Sequence, residues 1–270
     1  MKKLLGLLLC CGLLLTGCGG TNNEGGESVN LTAGGSTSIQ PLMEKIAESF
    51  EADGKGTISV EGGGSSVGTK GAIDGTFDIG MASRALKEDE PNELDGTTIA
   101  LDGIVIVVND ANAVSDITLE DAKKVFTGEI TNWKELGGED AEIAVVAREE
   151  GSGTRDGFES VVGFESDELV ANAEIQNATG AVVQSVNGNK NAIGYISLGA
   201  LTDEVKALTV EGVEANEDTI LDQSYKLQRP FTLAVKKGSD VAEPLFEYIF
   251  SDAGKKIISE NGYVPVEREK

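Results

Sequence analysis

The 270-residue sequence contains no histidine, and its three cysteines, Cys10, Cys11 and Cys18, all fall near the N-terminus. Without an imidazole, and without a thiol beyond Cys18, most routes to zinc, copper or haem coordination close, as do Ser–His and Cys–His nucleophile systems. No metal site, cofactor or catalytic residue is therefore expected. The absence decides one motif directly. Gly64-Ser65-Ser66-Val67-Gly68 satisfies the G-x-S-x-G pattern of a nucleophile elbow, yet no histidine exists to take the serine's proton. A serine hydrolase stays only as an alternative that needs a Lys base. Positive charge is also scarce: 22 Lys and Arg face 46 Asp and Glu, a formal net charge of −24. Such acidity repels nucleic acid and anionic membrane surfaces, so neither is an expected partner. Neither a P-loop pattern nor an internal repeat is present.

Long apolar runs are missing as well, apart from Leu4 to Leu15, which follows Lys2 and Lys3 and is too short to span a bilayer comfortably. Leu15-Thr16-Gly17-Cys18 has the form of a bacterial lipobox, so residues 1–17 are expected to be a signal peptide and Cys18 to carry lipid after cleavage. The mature chain could then form no internal disulfide. Residues 18–28 read as a polar tether reaching about 15 to 20 Å as a coil, and the globular part begins near Val29.

From there strand-like and helix-like segments alternate. Val29 to Ala33 reads as a strand, Gly34-Gly35-Ser36-Thr37-Ser38 as a turn, and Pro41 to Glu51 as a helix with Leu42, Ile46, Ala47 and Phe50 on one face. Ile58 to Glu61, Gly62-Gly63-Gly64-Ser65-Ser66 and Val67 to Ile73 repeat that order, and Phe77 to Ala82 is a third strand ending at Ser83-Arg84. Ile99 to Val108 is apolar and long enough to pass between two lobes. A helix from Thr118 to Phe126, an anchoring Trp133, helical stretches at 158–162 and 167–171, a strand at 192–196, a returning strand at 229–236 and helices at 241–250 and 254–260 complete the reading. The expected fold is α/β, with residues 29–108 plus 229–270 in lobe 1 and 109–228 in lobe 2.

The chemistry concentrates at Arg148-Glu149-Glu150-Gly151-Ser152-Gly153-Thr154, which follows the apolar run 143–146 and opens a helix. Glycines let the backbone approach a ligand, Ser152 and Thr154 offer hydroxyls beside free helix amides, and Arg148 adds a charged fork. Helix capping and an Arg148–Glu150 pair would explain the same residues. In an open α/β sheet, strand C-terminal ends gather on one edge, so the hydroxyl-rich loops should converge on one small anion. Net charge does not forbid this, because scattered carboxylates are screened beyond roughly 8 Å.

Taken together, Gly35-Ser36-Thr37-Ser38-Ile39-Gln40-Pro41, Gly64-Ser65-Ser66, Asp78-Ile79-Gly80-Met81-Ala82-Ser83-Arg84, Ile130-Thr131-Asn132-Trp133, Arg148 to Arg155, Asn191-Ala192-Ile193-Gly194-Tyr195 and Pro230 resemble the phosphate-binding lipoproteins of bacterial phosphate ABC importers. The resemblance implies a type II periplasmic-binding-protein fold, two α/β lobes joined by two crossover strands. It also implies a monomer, lipid-anchored on the extracellular face in the Gram-positive manner, that passes inorganic phosphate to the importer's permease and ATPase subunits without catalysis. Carried over by position, Thr37, Ser38, Ser65, Arg148, Ser152, Gly153 and Thr154 hold phosphate, with Ser36, Ser66 and Ser83 as adjacent candidates; Arg84, at the end of the third strand, is also expected to contact it. Arg84 departs from members that carry an acid near this position. It could supply charge but cannot accept the phosphate proton, so that role passes to a carboxylate such as Asp78, Glu149 or Glu150, or to a backbone carbonyl; Glu150 could instead hold Arg148. Sulfate or molybdate remain alternative ligands.

Overall fold

A computed structural model describes residues 29–268; the signal-peptide, Cys18 and tether expectations lie outside them. In chain order the elements are β1 (Val29–Gly35), α1 (Gln40–Ala52), β2 (Gly56–Gly62), α2 (Ser65–Asp74), β3 (Ile79–Ala82), β4 (Leu94–Asn109), β5 (Asp116–Ile117), α3 (Leu119–Phe126), β6 (Ala144–Arg148), α4 (Gly153–Val162), β7 (Glu174–Gln176) and α5 (Thr179–Gly188). They continue with β8 (Ala192–Ser197), β9 (Val205–Ala207), β10 (Thr209–Val210), α6 (Glu217–Leu221), β11 (Gln228–Lys236), α7 (Glu243–Ile249), α8 (Asp252–Glu260) and β12 (Val264–Pro265).

β4 organises the two lobes. Leu94 to Gly103 pair antiparallel with β11 save for Ile99, which falls at a shift in register, and Ile104 to Val108 pair antiparallel with β8. The sheet thus runs β2-β1-β3-β11-β4 through lobe 1 and β4-β8-β6-β7 through lobe 2. The chain crosses back beside β4, where the Ile104 N–H donates to the Leu227 carbonyl at 2.7 Å. Side chains of successive strand residues face opposite ways, and β4 uses both faces. Ile104, Ile106 and Val108 pack with Phe126, Phe158 and Tyr195, while Val105 and Val107 pack with Val146, Val182 and Val186. Burial on both faces explains why this strand reads as one apolar run. In lobe 1, Leu42, Met43, Ile46 and Phe50 of α1 cover Ile79, Ile99, Phe231 and Leu233.

Local chemistry sets the helix starts. Thr118 caps α3 by accepting from the Asp121 N–H at 3.0 Å, and Trp133 is buried with its Nε1 donating to the Asn191 carbonyl. In Gly64-Ser65-Ser66-Val67-Gly68 the second glycine serves packing: a Cβ on Gly68 would lie 2.5 Å from the Gly34 carbonyl oxygen, so α2 sits directly on β1. One expectation fails. Residues 167–171 form only a short 3-10 turn at Ser166–Glu168, because the Val170 N–H is drawn to the Phe126 carbonyl instead of a helical partner. The sheet is also mixed rather than purely parallel, since β11 runs antiparallel to both β3 and β4.

Candidate functional site

Four loops that follow β1, β2, β6 and β7 lead into the N-termini of α1, α2, α4 and α5. Each helix start leaves its first amides without intrahelical acceptors and carries the positive end of a helix dipole. The starts meet across the cleft. Ser38 Oγ lies 2.9 Å from Thr154 Oγ1 and 3.0 Å from Thr179 Oγ1, and Thr37 Oγ1 lies 3.3 Å from Thr179 Oγ1. The Ser66 N–H donates to the Gly151 carbonyl at 3.1 Å, so the backbones of the two lobes touch.

Arg148 is the charge at this junction and is 1% exposed. Its Nη1 donates to Thr179 Oγ1 and its Nη2 to Thr37 Oγ1, both at 3.1 Å, one partner in each lobe. Its Nε and Nη2 also donate to the two oxygens of Glu149 at 2.8 and 2.9 Å. The backbone beneath is pinned from both sides. Arg148 N–H donates to the Tyr195 hydroxyl, and Arg155 Nη1 donates to the Arg148 carbonyl. Burial raises the Tyr195 phenol well above its ordinary value and keeps it neutral. The junction therefore gathers neutral hydroxyls and one paired guanidinium, a donor-rich surface inside a strongly acidic protein.

Ser36 Oγ accepts from the Ser38 and Ile39 amides, and Ser152 Oγ accepts from the Arg155 amide. Ser152 caps α4, Ser36 closes the turn that precedes α1, and both keep their own O–H to donate. Ser65 Oγ faces Gly153 across the cleft and accepts from the Ser83 N–H at 3.0 Å. Ser66 is half-buried beside Gly151.

Three candidates lie elsewhere. Arg84 donates to both oxygens of Glu90, at 2.8 and 2.9 Å, and its Nε lies 3.1 Å from Asp156 Oδ2 of α4. Lys87 Nζ reaches the same oxygen at 3.1 Å. Arg84 is thus committed to carboxylates and ties lobe 1 to lobe 2, leaving the hydroxyl cluster to Arg148. Asp78 accepts from the Thr32 amide and hydroxyl before the start of β3, five residues or about 16 Å of strand from Ser83. That end of the strand is remote from the cleft. Glu150 is exposed, and Glu149 rather than Glu150 holds Arg148. Thr179, Arg155 and the buried Asp102–Arg229 pair were not among the expected site residues. Thr179 repeats the pattern of a hydroxyl at a strand-to-helix turn, and Asp102 is the one acid within the apolar run from Ile99 to Val108.

Burial pushes the Glu90 carboxyl up, but hydrogen bonds from Arg84, Thr69 and the Lys87 amide, with the Arg84 charge, outweigh it and hold the group below its ordinary value. A depressed carboxylate stabilises the fold above its unfolded pKa of about 4.3 and loses that contribution as pH falls through the folded value. Glu90→Gln is expected to lower urea stability by roughly 2 kcal/mol at pH 7, with the difference from wild type shrinking below about pH 4. A constant difference from pH 7 to 3 would contradict this.

The PBP superfamily domain matches residues 20–253. The phosphate-binding protein PstS of Bacillus subtilis (strain 168) is 33% identical over 250 residues, covering 88% of this chain and 81% of its own. The PstS of Staphylococcus haemolyticus is 31% identical, covering 95% and 90%. Among solved structures, a Clostridium perfringens protein assigned as a phosphate ABC transporter substrate-binding protein and containing bound phosphate is 42% identical, with TM-score 0.86 over 88% of this chain and 100% of that one. An ABC-type phosphate transport receptor from Vibrio cholerae is 36% identical, with TM-score 0.73 over 87% and 100%. Fold, loop order and these likenesses agree: the chain belongs to the PBP superfamily and, within it, to the PstS family of phosphate-binding proteins.

Proposed function

We propose that this chain captures inorganic phosphate between its lobes outside the cell and hands it to the permease of a phosphate ABC importer, without catalysing a reaction. One observation carries the reading: the start of α1 from lobe 1, the starts of α4 and α5 from lobe 2 and the buried Arg148 meet at a single cluster of hydroxyls, with Ser65 of α2 set beside Gly153. Thr37, Ser38 and Ser65 donate from lobe 1, and Arg148, Ser152, Gly153, Thr154 and Thr179 from lobe 2. These donors replace the water shell of the anion, and closing buries it fully satisfied. A micromolar dissociation constant corresponds to about 8 kcal/mol, which a few charge-assisted bonds of roughly 1.5–3 kcal/mol each supply after the cost of closure.

Phosphate at neutral pH keeps a proton that sulfate lacks. Glu149 takes the acceptor role: it is bonded to Arg148, and its Oε1 lies 3.2 Å from the Cβ position of Gly64 across the cleft. We place the lobe boundaries at Gly103/Ile104 and Leu227/Gln228, where pairing changes partners. Cleavage before Cys18 would leave a monomer held by lipid on the outer face of the membrane. No helix among the described residues is long and apolar enough to cross a membrane.

Calorimetric titration of the chain from Thr21 onward, stripped of anion, tests the reading at pH 7. The expected result is tight one-to-one phosphate binding with little response to sulfate. Equal binding of both would remove Glu149 as a discriminator, and binding of neither would overturn the proposal.

A further inference from the structure

Below the hydroxyl cluster, at the crossover between lobes, lies an ion pair that the anion site does not explain. Asp102 of β4 is 0% exposed and Arg229 of β11 is 4% exposed. Arg229 Nε and Nη2 donate to Asp102 Oδ2 at 3.0 and 2.8 Å. The other oxygen, Oδ1, accepts from Ser197 Oγ at 2.8 Å and from the Leu198 N–H at 3.2 Å, both in lobe 2. Burial pushes the Asp102 carboxyl up, against the Arg229 charge and the hydrogen bonds from Ser197, Arg229 and Leu198. Removing charges from water costs several kcal/mol per ion, so such a pair is weak support for stability and invites another explanation.

The remaining nitrogen of Arg229 supplies one. Nη1 donates to both the carbonyl and the hydroxyl oxygen of Ser83, each at 3.2 Å. Ser83 in turn sends its N–H to Ser65 Oγ at 3.0 Å, and the two hydroxyl oxygens lie 3.3 Å apart. A guanidinium only donates, so one lone pair of Ser83 Oγ is taken by Arg229 and one of Ser65 Oγ by the Ser83 amide. Two hydroxyl protons remain and only one can lie between the two oxygens. The other has no protein acceptor among the described residues, and its oxygen pair faces Gly153 at the start of α4.

We infer that Arg229, held by Asp102, is a positioning residue for anion binding that acts through Ser83 to fix the Ser65–Ser83 hydroxyl pair as a donor into the cleft. This rests on the phosphate reading of the same site. Arg229 clamps the Ser83 carbonyl and hydroxyl together, and a charge-assisted bond at the root of the chain polarises the bonds beyond it. Because Asp102 also holds the end of β8, the loop that carries Ser83 is referenced to the crossover rather than to lobe 1 alone.

The test is a thermodynamic cycle in phosphate affinity at pH 7 using wild type, Ser65→Ala, the neutral pair Asp102→Asn with Arg229→Met, and the combination of all three substitutions. Replacing both charges avoids leaving one buried and unpaired. The expected result is a loss of about tenfold for Ser65→Ala, a similar loss for the neutral pair, and no more than about a further twofold loss when they are combined, since residues in one network are non-additive. A purely structural pair would give losses that multiply, and that outcome, or an unchanged affinity in the neutral pair, would overturn the relay. Ser83→Ala provides a second arm in which the buried pair stays intact. It should weaken phosphate binding severalfold in wild type and hardly at all in Ser65→Ala. An equal loss in both backgrounds would mean that Ser83 contacts the anion by itself, and would overturn the relay. Failure of the wild-type chain to bind phosphate would overturn the reading of the site and the relay with it, whereas normal binding with multiplicative losses overturns the relay alone.

Discussion

Gly153→Ala is expected to weaken phosphate binding by about 100-fold or more while leaving the unliganded protein as stable as wild type or more so. The two effects have separate origins. At the first position of α4 alanine loses less conformational entropy than glycine, and Gly153 is absent from the glycines with positive φ, so the backbone accepts a side chain. Across the cleft there is no room. A Cβ at this position would lie 2.4 Å from Ser65 Oγ, 2.8 Å from Ser83 Oγ and 3.0 Å from the Ser83 carbonyl carbon. Those atoms belong to lobe 1, so one methyl group opposes closure without disturbing either core. A loss of 100-fold corresponds to about 2.7 kcal/mol, well within the cost of forcing such contacts apart. Calorimetric titration with phosphate, beside urea unfolding of the anion-free protein, reads both effects. Wild-type affinity would show that the lobes do not come this close when phosphate is held.

Arg148→Met should lower phosphate affinity by at least 100-fold as well, and Arg148→Lys should recover only part of it. The guanidinium serves Thr179, Thr37, Glu149 and the Gln176 carbonyl from one rigid plane. An ammonium restores the charge but cannot reproduce that fork. Methionine removes the charge and leaves Glu149 facing the anion without its partner, which adds repulsion to the lost donors. Titration of the two variants beside wild type checks this. A lysine variant that binds as tightly as wild type would reduce Arg148 to a point charge.

The same geometry gives Arg84 a different task from the one its motif suggests. With Glu90 on one side and Asp156 on the other, it joins the lobes at the rim of α4, and Lys87 reinforces the contact. Each of the four arginines near the cleft has a carboxylate partner: Glu90 for Arg84, Glu149 for Arg148, Glu159 for Arg155 and Asp102 for Arg229. In the proposed reading these pairings leave dipoles and hydroxyls to hold the anion beside Arg148, which is compatible with a chain of net charge −24.

The order of strands, hydroxyl-rich turns and helices is written locally. Apolar periodicity in Leu42 to Phe50, glycine beside serine or threonine at 34–38 and 62–66, and the apolar run of β4 each depend on neighbours a few positions away, so they marked α1, the two loops and the crossover. Arg148 and the Gly151-Ser152-Gly153-Thr154 turn were legible for the same reason. Which acid meets which arginine was not. Glu149 and Glu150 are adjacent and chemically alike, and only the direction in which the chain leaves β6 brings one to Arg148 and leaves the other in solvent. Asp102 and Arg229 are 127 residues apart, and Thr37 and Thr179 are separated by 142. The sequence by itself determined the alternation of elements and the donor chemistry of the loops. The choice of ion partners, the place of Arg84 and the arrival of Thr179 at the cluster were decided by tertiary structure alone, because electrostatic and hydrogen-bond pairing depends on distances of a few ångströms that exist only after the lobes pack.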